Sequence, residues 1–180
     1  MSTKRKDTIL IADDNPNNLK VLSETLTEFG YEVRVAMDGK AAVKSAQAEV
    51  PDMILLDIHM PEMDGYETCE ILKKDKRTMG VPVIFISALN EHFNKIKAFK
   101  YGAVDYLTKP IQMEETRARV KVHLELRQKI KELESFNKIM LDREMRIIEL
   151  KKEVNTLAAE IGKDLIYPEI WNGTLEKEDR

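Results

Sequence analysis

The stretch Met53-Ile54-Leu55-Leu56-Asp57-Ile58-His59-Met60-Pro61-Glu62-Met63-Asp64-Gly65 decides the fold, because an apolar run ends abruptly in a carboxylate. Two other runs end in the same way. Thr8-Ile9-Leu10-Ile11-Ala12 is followed by Asp13 and Asp14, and Val83-Ile84-Phe85-Ile86 by Ser87. As neighbouring parallel strands, these runs would bring three carboxylates and a hydroxyl to one crevice at their C-terminal ends, where open α/β sheets place their ligands. Such a crevice suits a divalent cation and a phosphoryl group.

Working outward, short β-rich runs alternate with stretches of helical period through residue 125, the pattern of βα units around a parallel sheet. Five strands are predicted: Thr8 to Ala12, Glu32 to Ala36, Met53 to Leu56, Val83 to Ile86 and Asp105 to Leu107. Asn15 is placed to cap a helix whose first residue is Pro16, with Leu19, Leu22, Leu26 and Phe29 as its buried stripe and Gly30 as its left-handed stop. Asp38 begins a second helix carrying Ala42, Val43 and Ala46. A third covers Tyr66 to Lys74, and a fourth Glu91 to Tyr101, ending at Gly102. Right-handed crossovers then put helices on both faces, giving a doubly wound α/β domain.

The 180 residues suffice for one ordinary domain and an extension of some fifty residues. Of the chain, 43% is hydrophobic, enough for a core, and 34% is charged, well above the usual quarter. The excess charge lies mainly after residue 111. A net charge of -3 and a pI of about 5.8 offer no basic footprint for nucleic acid. Cys69 is the single cysteine, which excludes a disulfide framework and a thiol metal site and fits a reducing, cytoplasmic setting. Lys4, Arg5 and Lys6 are followed by no apolar stretch of signal-peptide length, and no run is long enough to span a bilayer, so no membrane insertion is expected. The glycosylation pattern Asn172-Gly173-Thr174 has no secretory signal to give it meaning.

From Gln112 to Ile161 there is neither proline nor glycine, and the apolar spacing becomes a heptad. Leu126, Leu133, Met140, Ile147, Val154 and Ile161 fall seven apart, with Phe136, Leu150 and Leu157 at half of the second seam positions and Lys129, Arg143 and Asp164 at the others. Ile or Val at the first seam position and Leu at the second favour a parallel two-stranded coil. About fifty helical residues would reach about 75 Å, too far for one small domain to cover. A homodimer through this helix is the expectation; folding back onto its own domain is the alternative. The predicted organisation is a first domain over 1–125, a coiled-coil helix over 126–162 and a terminal tail over 163–180. In that tail Leu165, Ile166, Tyr167, Ile170 and Trp171 form either a docking patch or a strip that packs on the coil.

Any one of Asp13, Asp14 and Asp57 could be a solvated strand-end acid. Three together cannot be, because two unit charges about 4 Å apart repel by roughly 4 kcal/mol at an effective dielectric of 20, which calls for a counter-ion or protonation. Mg²⁺ suits oxygen ligands and accepts a phosphate oxygen. Lys109, in Leu107-Thr108-Lys109-Pro110 after the fifth strand, would meet a phosphoryl oxygen as a point charge.

The pair Asp13-Asp14, the run from Leu55 to Gly65, Ser87-Ala88 and Thr108-Lys109-Pro110 together resemble the receiver domain of two-component response regulators, over about residues 7 to 125. The resemblance implies a five-stranded, flavodoxin-like sheet of order 2-1-3-4-5 followed here by a long C-terminal helical extension. It implies that Asp57 is the phosphoacceptor, taking its phosphoryl group from a sensor histidine kinase or phosphotransfer protein. Asp13, Asp14, Asp57 and the backbone carbonyl of His59 would hold Mg²⁺, and Ser87 and Lys109 would bind the phosphoryl oxygens. Ser87 and Tyr106 would form the switch, the serine moving toward the phosphoryl group and the tyrosine turning inward. His59 and Leu89 occupy the variable positions that tune dephosphorylation. The implied protein is a phosphoacceptor with intrinsic autodephosphorylation at most, not an enzyme.

After residue 125 there is neither a second α/β pattern nor a helix-turn-helix with a basic face, so the expected output is the helical dimer, without a DNA-binding domain. The alternative is the N-terminal receiver and linker of a larger hybrid signalling enzyme such as a histidine kinase, since Leu141 to Asn155 is similar to the connectors of such enzymes. The chain's polar end reads against that alternative. A third reading is a scaffold in which phosphorylation plays no part.

Overall fold

The computed structural model describes residues 5–88 and 95–167. Five parallel strands, β1 (Thr8–Ala12), β2 (Glu32–Ala36), β3 (Met53–Asp57), β4 (Val83–Ala88) and β5 (Asp105–Lys109), form a sheet of order β2-β1-β3-β4-β5. This is the expected flavodoxin-like arrangement. Strands β3, β4 and β5 each continue past their predicted ends, so that Asp57, Ser87 and Lys109 are themselves paired or terminal strand residues.

Between the strands lie α1 (Pro16–Glu28), α2 (Gly39–Ala48), α3 (Gly65–Lys74) and α4 (Lys95–Lys100), and α5 (Met113–Glu160) follows β5. The start expected for α4 at Glu91 lies outside the described residues, as do Leu89, Ile170, Trp171 and the Asn172 pattern. Local chemistry accounts for the ends. Asn15 Oδ1 accepts the Asn17 N–H at the start of α1, Asp38 caps α2 through the Ala41 N–H, and Gly30 and Gly102 end α1 and α4 at φ of 94° and 88°.

Two cores sandwich the sheet. On one face Leu10, Ile54, Leu56 and Phe85 meet Ala42 and Ala46 of α2, Cys69 and Leu72 of α3 and Ala98 of α4. On the other, Ile9, Ile11, Leu55 and Ile84 meet Leu19, Leu22 and Leu26 of α1 and Val120 and Leu124 of α5. Alternation along each strand, with every residue of β1 and β3 buried, puts apolar side chains on both faces.

The described residues up to Lys129 form one compact unit and those from Ile130 onward a second. Within the first, Arg127 ties α5 to the start of β3: it donates to Pro51 O at 2.7 Å and pairs with Asp52 at 3.6 Å. Within the second, most of the expected heptad seam is exposed, Leu133 at 63%, Phe136 at 60% and Leu157 at 60%, while Val154 is half-buried. The helix then stops at Gly162, whose φ is 71°, with Lys163 N–H donating to Ala158 O. The chain turns back and the Asn155 amide holds both backbone groups of Tyr167, at 2.8 and 2.9 Å. The Tyr167 ring, 39% exposed, lies 5.5 Å from Lys151 Nζ, and Leu165 and Ile166 are more than half exposed.

Candidate functional site

The cleft lies at the carboxyl ends of β1, β3, β4 and β5. Pairing of Ala12 with Leu56 and of Asp57 with Ile86 sets Asp13 and Asp57 at the same level of the sheet. Carboxylate oxygens of Asp13, Asp14 and Asp57 all lie within 4.8 Å of one another. Asp13 is fully buried, Asp57 nearly so, and Asp14 is exposed. The three acids gathered in sequence are therefore gathered in space.

Lys109 enters from the end of β5. Its Nζ donates to Asp57 Oδ2 at 2.9 Å and to Asp13 Oδ2 at 3.0 Å, and the Lys109–Pro110 peptide is cis. Burial works against the charge on this ammonium, but its hydrogen bonds to the two carboxylates prevail and hold its pKa above the ordinary lysine value. Burial raises the pKa of Asp57, the charges of Asp13 and Asp14 add to the rise, and the Lys109 bond opposes it.

One atom in this cluster is left over. Asp57 Oδ1 is buried and has no hydrogen-bond partner among the described residues. A buried carboxylate oxygen without a donor is costly, and a cation supplies what is missing. The oxygen-only donor set of Asp13, Asp14 and Asp57 fits Mg²⁺, a hard cation that prefers oxygen ligands.

The loop after Asp57 is shaped by close backbone contacts. Gly65 N–H donates to Ile58 O at 2.9 Å, and a side chain at Gly65 would strike the Asp57 carbonyl. Asp64 and Glu67 form a capping box that starts α3. His59 is exposed at the head of this loop. Ser87 is buried and donates to Ala88 O at 3.3 Å. Tyr106 is half-buried and registers with Phe85, so it shares a sheet face with Ser87, two residues along β4.

Sequence reasoning missed Asn18. Its Nδ2 lies 3.0 and 2.9 Å from the two Asp13 oxygens. The available signal was its place three residues after Asn15, one helical turn in from the cap and on the side of the acids. A second missed group is Asp105, which Arg119 binds through both oxygens at 2.8 and 2.7 Å with His123 at 3.1 Å, beside Tyr106.

Fold and cleft together define a class: a doubly wound parallel α/β domain with a lysine-bridged carboxylate cluster at the carboxyl edge of its sheet. The response regulator receiver domain family matches residues 9–121, and the chain belongs to that family. Its relatives include the DNA-binding dual master transcriptional regulator RpaA of Synechocystis, 39% identical over 132 residues, which are 73% of this chain and 55% of the regulator. Histidine kinase P4 of Formosa agariphila is 33% identical over 164 residues, 91% of this chain and 12% of the kinase. The chain thus spans about half of the one relative and about an eighth of the other. Among solved structures, the receiver domain of a sensor histidine kinase from Pseudomonas aeruginosa PAO1, with magnesium coordinated in its active-site cleft, superposes with a TM-score of 0.62 at 30% identity, covering 67% of this chain and 98% of that one. Among the described residues no helix is long and apolar enough to cross a membrane.

Proposed function

We propose that this chain is a phosphorylation-driven switch in a two-component system, with Asp57 as phosphoacceptor and the C-terminal helix as output. The observation that carries the reading is the asymmetry of Asp57: Lys109 holds Oδ2, while buried Oδ1 has no donor among the described residues. Mg²⁺, held by Asp13, Asp14, Asp57 and the His59 carbonyl, would supply charge neutralisation for the incoming phosphoryl group. An Asp57 oxygen attacks the phosphorus of a phosphohistidine on a sensor kinase or phosphotransfer protein. The O–P bond forms as the N–P bond breaks, and the imidazole nitrogen keeps the electron pair. Lys109 turns from Asp13 toward a phosphoryl oxygen and the Ser87 hydroxyl donates to another, so catalysis is mostly positioning and charge compensation. Hydrolysis of the acyl phosphate by water resets the site, without making the chain an enzyme toward other substrates.

Movement of Ser87 toward the phosphoryl group would vacate space on the face that Tyr106 shares, and the ring turns into it. Arg119, whose guanidinium lies 5.9 Å from that ring, links the change to α5. The exposed heptad seam on α5 supports a parallel homodimer as output, rather than a nucleic-acid contact. A soluble, cytoplasmic signalling component fits this chemistry. A second reading has one specific support. The match to the Formosa kinase extends over 164 residues, well into the helix, as it would if this chain were the receiver and linker of a hybrid signalling enzyme.

Light scattering of the chain with Mg²⁺, with and without beryllofluoride, tests the proposal. A change of mass or shape on adding beryllofluoride, absent in Asp57→Asn, is the expected result. An identical response in wild type and variant would overturn Asp57 as the switch.

A further inference from the structure

We propose that Asn18 is a positioning residue for the cation site: it holds the Asp13 carboxylate in its binding orientation while Lys109 moves between partners. The inference rests on the Mg²⁺ reading above and adds to it a residue outside the acidic cluster.

Asn18 is the third residue of α1. At that position a side chain often reaches back to the cap residue's own N–H. Here the Asn15 N–H is already given to Asp13 Oδ1 at 2.8 Å. The Asn18 amide is turned to the same carboxylate instead, its nitrogen set almost symmetrically against both oxygens at 3.0 and 2.9 Å. Together the Asn15 N–H on Oδ1 alone and the Asn18 amide against both oxygens tie the carboxylate at two points, so that its position and its rotation about the Cβ–Cγ bond are both limited.

Among the described residues Asp13 has three donors, Asn15 N–H, Asn18 Nδ2 and Lys109 Nζ. Lys109 is shared with Asp57, and phosphoryl transfer requires it to turn to a phosphoryl oxygen. Once it does, a fully buried carboxylate keeps its orientation on the remaining two, of which Asn18 contacts both oxygens. In the first turn a polar side chain gains chiefly by bonding back to the cap residue's N–H, and at Asn18 that gain is absent because Asp13 already takes the Asn15 N–H. The residue type is therefore explained by the carboxylate and not by the helix.

Groups that orient metal ligands from behind commonly affect metal affinity by about 10–100-fold. The test is calorimetric titration of Mg²⁺ into the full chain and into Asn18→Leu and Asn18→Ala, with the thermal midpoint of each recorded in chelator. The expected result is a Mg²⁺ dissociation constant raised about tenfold in both variants, with metal-free midpoints lowered by no more than a few degrees for the donor lost from Asp13. Beryllofluoride binding should return when Mg²⁺ is raised by the same factor. Asn18→Ala cannot clash, so it keeps the test open should the leucine fold poorly. Variants that bind Mg²⁺ within twofold of wild type overturn the positioning role and leave the site intact. A wild-type chain that takes up no Mg²⁺ overturns the reading of the site, and this inference with it.

Discussion

Lys109 Nζ lies 2.9 Å from Asp57 Oδ2, joining residues 52 positions apart at the ends of two strands that are not neighbours in the sheet. The same ammonium reaches Asp13, so it is the counter-charge for two buried carboxylates. Removing one partner of a buried ion pair costs roughly 3–5 kcal/mol, and the partial exposure of Lys109 reduces this. Lys109→Ala is expected to destabilise the metal-free chain by about 2 kcal/mol in urea unfolding. Millimolar Mg²⁺ should recover part of the loss.

Asp57 itself works against folding at neutral pH. Its pKa is raised, chiefly by burial. An acid with a raised folded-state pKa adds stability below its unfolded value and loses that contribution as pH rises through the folded value. At pH 7 the charge is present and its burial is unfavourable. Asp57→Asn is therefore expected to raise Tm by a few degrees in chelator. Mg²⁺ should then stabilise wild type and leave the variant nearly unmoved.

The opposite sign holds at Asp105. Burial would raise its pKa, but the Arg119 bonds, the Tyr106 N–H and His123 outweigh burial and hold it below the ordinary carboxylate value. Its contribution is thus present above pH of about 4 and lost as pH falls through the depressed value. In thermal melts from pH 7 to pH 3, Arg119→Gln is expected to lower Tm at pH 7 and to lessen the acid-side decline. Parallel curves for wild type and variant would argue against this network.

Cys69 is buried against α4, with its Sγ 3.2 Å from Tyr101 O, and burial pushes its pKa up to about 11. The thiolate is the reactive form. A disulfide reagent at pH 8 is expected to leave the native thiol unmodified for far longer than the urea-unfolded one, followed by absorbance.

Ile147 and Leu150 are 43% and 44% exposed, at successive seam positions of the helix. A glutamate at each would set like charges against their counterparts in a parallel pair. The double substitution Ile147→Glu, Leu150→Glu is expected to weaken self-association at least tenfold, about 1.4 kcal/mol, by sedimentation. The receiver's melting should be unchanged, because neither residue belongs to its cores.

Much of this molecule is legible along the chain because its signals are local. Strand runs, the Asn15 and Asp38 caps and the Gly30 and Gly102 stops depend on residues a few positions apart, and the structure places them as read. The strands came out too short at their carboxyl ends, since Asp57, Ser87 and Lys109 are polar and sequence alone gives no reason to keep them in a sheet. Pairing with Ile86, Thr108 and Ala88 supplies that reason. Asn18 and the Asp105 network went unread because their partners are set by how α1 and α5 lie on the sheet.

The sequence by itself determined the order of elements, the two-sided core and the three acids with their lysine, since period, capping and strand-end chemistry are written in neighbouring residues. Only the tertiary structure decided that Lys109 bridges Asp13 and Asp57, that Asp57 Oδ1 is left without a donor among the described residues, and that the Asn18 amide faces Asp13. Hydrogen bonds form or fail over tenths of an ångström, and distances that short are fixed by the packing of whole elements rather than by the spacing of residues along the chain.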